Sequence, residues 1–104
     1  MKWIAMMLAS VLAMPLWAQD IQAELVHIQQ RWAEIQYLLP EDDREKAFEA
    51  LARDAETFVA DYPGRAEPLI WQGIVLSTYA GAKGGLGALG LVEDARKSLE
   101  AALA

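Results

Sequence analysis

From Ile21 onward the apolar residues return every three or four positions: Ile21, Leu25, Ile28, Trp32, Ile35 and Leu39. That spacing marks one face of a helix. Gln22, Gln29, Gln30, Glu34 and Gln36 occupy the other faces. The pattern predicts a first helix from about Asp20 to Leu39. Pro40 stops it, because a residue before proline avoids helical dihedrals. A second stripe, Phe48, Leu51, Ala55, Phe58 and Tyr62, predicts a helix from about Asp42 to Tyr62. Asp42 with Glu45 three residues on has the form of a capping box, and Pro63-Gly64 ends the run.

A third helix is predicted from about Ala66, with Pro68 in the first turn, where its missing N–H removes no bond. Leu69, Ile70, Trp71, Ile74, Val75, Leu76 and Tyr79 leave it almost no polar face. A helix apolar on all sides belongs between neighbours or against a partner. Residues 81–90 hold five glycines and one charge, Lys83, and read as a glycine-rich connection. A fourth helix from about Leu91 to Ala104, with an earlier start inside the glycine segment left open, places Leu91, Val92, Ala95, Leu99, Ala102 and Leu103 on its apolar side. The expected fold is all-α, with hairpins at about 20–62 and 66–104.

The N-terminal segment changes the picture of where this fold resides. Lys2 is followed by an apolar run from Trp3 to Leu12 broken only by Ser10, then Pro15 and Leu16-Trp17-Ala18. The run is shorter than the about 20 apolar residues a bilayer-spanning helix needs. It has the order of a cleaved signal peptide, residues 1–18, with Ala18 suited to the position before the cut. The expected mature domain is 19–104, in the periplasm.

Composition bounds what that domain can be. The chain has 104 residues, no cysteine and a net charge of −6, which loss of Lys2 makes more acidic still. One small domain fits this length. Disulfides are excluded, so helix packing or association must supply the stability. An acidic surface repels nucleic-acid phosphates and anionic lipid heads.

The stretch from Pro63 to Ala102 resembles one tetratricopeptide repeat (TPR), whose pattern runs W-x2-L-G-x2-Y, A-x3-F and P. Gly73 matches the close-approach position of the hairpin, with Leu69 at the Trp position and Leu76 at the Tyr position. Ala95, Leu99 and Ala102 match the small-large-small series of the second helix. Pro63 lies ten residues before Gly73, as a repeat-ending proline does. Gln72 stands where the pattern has Leu, and Gly73 to Ala95 is longer than the roughly 12-residue spacing of the repeat. The resemblance implies antiparallel helical hairpins, Gly73 facing Ala95, and a protein- or peptide-binding role.

Few residues invite chemistry. Gly85-Leu86-Gly87-Ala88-Leu89-Gly90 reads G-x-G-x-x-G, but a dinucleotide fingerprint follows a strand, and here a helix precedes it. Lys83-Gly84 lacks the Ser or Thr and the glycine spacing of a P-loop. Glu41, Asp42, Asp43 and Glu45 lack the alternation of a calcium loop and suit a helix start by its dipole. His27 is the single histidine, and with no cysteine a zinc site would have to lean on carboxylates, so it reads as a solvated surface residue. No histidine is spaced to activate Ser77 or Ser98. The pattern specifies no catalytic, cofactor or metal site. Trp32, Tyr37, Trp71 and Tyr79 read as core or as a groove lining.

These readings point to a non-enzymatic, periplasmic interaction adaptor of TPR type. Its expected partner is an envelope protein or peptide, or a second copy met through the C-terminal helix. The alternative is a membrane-associated envelope protein that contacts lipid through the apolar segment Leu69–Val92.

Overall fold

A computed structural model describes residues 16–104, with side chains from Asp20 on. The expected leader lies outside the described residues except for Leu16–Ala18, which open the first helix. Four helices follow one another: α1 (Leu16–Leu38), α2 (Glu41–Asp61), α3 (Ala66–Lys83) and α4 (Gly87–Leu103). The described residues form no strand.

The two predicted stripes of the first hairpin are its core. Ile21, Ile28 and Ile35 of α1 are buried, and so are Phe48, Leu51, Ala55 and Phe58 of α2. Val75 and Tyr79 of α3 complete the same cluster, and Leu25, Trp32, Leu39 and Tyr62 pack at its edge. The nearly all-apolar α3 is the central element: it packs on α1, α2 and α4, whereas α4 packs on α3 alone. An edge-on ring pair joins Trp32 of α1 to Trp71 of α3, and another joins Phe58 of α2 to Tyr62 just past its end. Trp32 Nε1 donates to Thr78 Oγ1 at 3.2 Å, so the indole N–H is satisfied as it leaves water.

Three local expectations are corrected. Asp42 does not cap α2. Pro40 holds that position in an extended conformation (φ −57°, ψ 147°), without a side-chain cap bond, and the helix starts at Glu41. Glu41, Asp42 and Asp43 sit inside the first turn, where the helix dipole favours carboxylates. The first helix begins at Leu16, ahead of Asp20.

The glycine-rich connection 81–90 shrinks to residues 84–86. Gly81 continues α3, and Gly87 and Gly90 lie in α4. Gly84 and Gly85 take φ of 66° and 63°, a left-handed pair that L side chains resist. The Gly84 N–H donates to the Ala80 carbonyl at 2.9 Å and closes α3. Two glycines therefore make the turn, and packing on α3 overrides the weak helix propensity of the rest.

Candidate functional site

Because α2 and α4 both lean on α3 without packing on each other, a groove of about 470 Å³ opens between them. Leu76 and Tyr79 of α3 form its floor, with Ala52 and Leu91 beside them. Glu49, Arg53 and Glu56 rise from the α2 wall, Asp94 and Lys97 from the α4 wall. They come from positions one step around each helix from its core stripe, which is why they border the core and still reach solvent.

Hydrogen bonds fix the lining. The Tyr79 hydroxyl donates to Glu49 Oε2 at 3.1 Å, and Arg53 Nη1 donates to Glu49 Oε1 at 3.2 Å. Arg53 first, then Tyr79, holds the Glu49 carboxyl below its usual range. Burial and the bond to Glu49 push the Tyr79 phenol up. The Ser98 hydroxyl, buried in the α3–α4 seam, lies 2.9 Å from Gln72 Oε1 and 3.1 Å from the Asp94 carbonyl. Gln72, which departs from the repeat pattern, is thus the partner that a buried serine requires.

The Glu49 contacts carry a pH expectation. A carboxyl whose folded pKa is depressed stabilises the fold above its unfolded pKa, near 4.5 here, and that contribution is lost as pH falls below it. In Arg53→Gln the Glu49 titration, followed by side-chain carbon NMR, moves up toward 4.5. An unchanged midpoint would show that Arg53 does not set it.

The sequence-derived repeat positions scatter. Gly73 and Ala95 are buried in the α3–α4 seam, Leu69, Leu76 and Ala102 are half-buried, and Pro63 is exposed in the α2–α3 turn. The atoms nearest to Gly73 on α4 belong to Leu99. A Cβ on Gly73 would lie 2.6 Å from Cγ and Cδ2 of Leu99, so the Leu99 side chain rests on the glycine backbone. The predicted apolar side of α4 also divides. Ala95 is buried, Leu91 and Ala102 are half-buried, and Val92, Leu99 and Leu103 are exposed.

His27 is exposed, with Nε2 3.8 Å from Asp54 Oδ2. Among the described residues, no group of three or more His, Asp or Glu side chains is placed to hold a metal. No helix among them is long and apolar enough to cross a membrane. The segment Leu69–Val92 folds as most of α3, the turn and the start of α4, with Gly73, Val75, Tyr79 and Ala80 buried. Sequence reading missed the groove residues Glu49, Arg53, Glu56, Asp94 and Lys97. The signal was present as flanking stripes, 49-52-53-56 on α2 and 91-94-98 on α4, each with helical spacing.

The chain matches no family model, and no curated protein or solved structure matches it.

Proposed function

We propose that this chain is a non-enzymatic, periplasmic protein-interaction module of TPR type that holds a segment of an envelope protein in the groove between α2 and α4. The open groove carries the reading. It joins an apolar floor to walls of both charge signs, the composition of a polar-rimmed protein contact. Four successive helices support a helical-hairpin scaffold, and the TPR type rests on the sequence pattern from Pro63 to Ala102.

Among the described residues neither Lys97 nor Asp94 forms an ion pair within 4 Å, and both are exposed on the α4 wall where a ligand can reach them. A docked segment would set an acidic group on Lys97 and a basic one on Asp94 and Glu56. The charge-swapped double variant Asp94→Lys, Lys97→Glu keeps the net charge and alters only exposed positions. Capture of an envelope protein from a periplasmic extract is expected with the unaltered chain and with His27→Ala, and is lost in the swap. Equal capture by all three would refute the groove.

Export is tested separately. The protein recovered from the periplasmic fraction should begin at or near Gln19. An intact Met1 found in the membrane fraction would overturn it.

A further inference from the structure

The outer flank of α4 carries a second apolar stripe that the groove does not use. Leu89, Val92, Leu99 and Leu103 are 66%, 53%, 39% and 89% exposed, and Leu86, at the head of the helix, is 86% exposed. At 3.6 residues per turn, Leu89, Val92, Arg96, Leu99 and Leu103 fall within about a quarter of the helix circumference. Their steps of three, four, three and four are those of a coiled-coil seam. The groove residues Leu91, Asp94 and Ser98 lie on roughly the opposite flank. The inner edge of the stripe is engaged among the described residues, where Leu99 rests on Gly73.

We propose that this stripe is the interface of a two-fold homodimer, in which α4 of one copy packs antiparallel against α4 of a second. The proposal is independent of the groove. Its first support is self-complementarity. A two-fold contact requires one surface to fit itself. Reversing α4 brings Leu89 onto Leu99 of the second copy, Val92 beside the aliphatic stem of Arg96, and Leu103 opposite Gly85, one residue from Leu86. Leu89 and Leu99 then pair at both ends of the contact, and Arg96 is the charged residue within the stripe, neutralised by Glu93 and Glu100 at its border.

Charge supplies the second support. Two copies of a chain of net charge −6 repel, so they meet best where that charge is least. α2 carries eight Asp and Glu against three Lys and Arg, whereas α4 carries three against two. The α4 charges are also internally matched, since Arg96 is bound by Glu93 and Glu100. The stripe faces away from the groove, and thus from α2, so pairing through it keeps the two acidic helices apart. Area is the third support. Two such stripes bury on the order of 1,000 Å², the lower limit of a specific interface, which makes the dimer reversible.

Sedimentation velocity on protein purified from cells expressing the full chain tests this over a hundredfold range of concentration. The weight-average mass should rise from one chain to two and stop there. Leu89→Glu and Leu103→Glu alter exposed positions and should remain monomeric with unchanged helical circular dichroism. A monomer throughout, or growth beyond two chains, overturns the proposal. Orientation is read by cross-linking, which the absence of native cysteine makes clean. On oxidation, a mixture of Leu86→Cys and Leu103→Cys should form the mixed disulfide in excess of either like pair. An excess of like pairs would mean parallel helices and reject the antiparallel arrangement.

Discussion

Phe48→Ala is expected to remove most of the stability of this domain, about 3–5 kcal/mol. Phe48 is 1% exposed and belongs to the one core cluster, which draws Ile28 and Ile35 from α1, Leu51 and Phe58 from α2, and Val75 and Tyr79 from α3. Truncation forfeits the transfer energy of the ring and leaves a cavity that three helices would have to collapse together to fill. Small domains have only about 5–15 kcal/mol in total, and this one has no cysteine to cross-link its unfolded state. Leu38→Ala, at a position 77% exposed, should change stability by no more than about 0.5 kcal/mol. Urea unfolding followed by circular dichroism separates the two. Comparable losses would mean that the core is not where Phe48 lies.

The second large effect is expected at the α3–α4 seam. Gly73→Leu should destabilise by about 1–3 kcal/mol through overpacking. A new Cβ would lie 2.6 Å from Leu99 Cγ, a branch point that moves only if the whole side chain swings out or α4 recedes. The change also returns about 1 kcal/mol of helix propensity, so a net loss shows that the clash wins. Leu99→Ala by itself should cost less than a fully buried leucine, because Leu99 is 39% exposed. The two changes should couple. In the Leu99→Ala background, Gly73→Leu finds the space vacated and its cost falls, giving an interaction energy of about 0.5–3 kcal/mol in a double-mutant cycle. Additive costs would place the close contact elsewhere.

The stripes of α1 and α2 were legible because each helix has one inner face and a long repeat of large residues on it. Ile21 to Leu39 repeats at helical spacing for about five turns and Phe48 to Tyr62 for about four, and no competing stripe of that size shares either helix. The burial of α3 was legible for a related reason: a helix with almost no polar face has nowhere to sit but between neighbours. α4 was harder to read. Its sequence offers two adjacent apolar stripes, a small one through Leu91, Ala95, Ser98 and Ala102 and a large one through Leu89, Val92, Leu99 and Leu103. Size alone favours the second as core. In the structure Ala95 and Ser98 of the small stripe are buried against α3, while Leu99 of the large stripe reaches it at Gly73 and stays partly exposed.

The groove was out of reach of any one-helix pattern. Glu49, Arg53, Asp94 and Lys97 read in sequence as ordinary solvated charges, and they share a site only because α3 separates α2 from α4. The glycines between 81 and 90 divide in the same way. Sequence alone determined that the chain must turn there and that glycine permits it. Tertiary contact decided that Gly84 and Gly85 take the left-handed conformation while Gly87 and Gly90 join α4. Helical periodicity is a property of neighbours along the chain, so the sequence by itself determined four amphipathic or apolar helices and the inner faces of three. Crossing distance and the space between helices depend on residues far apart in sequence. Only the tertiary structure therefore decided which face of α4 turns inward, that Gln72 partners Ser98, and where the groove opens.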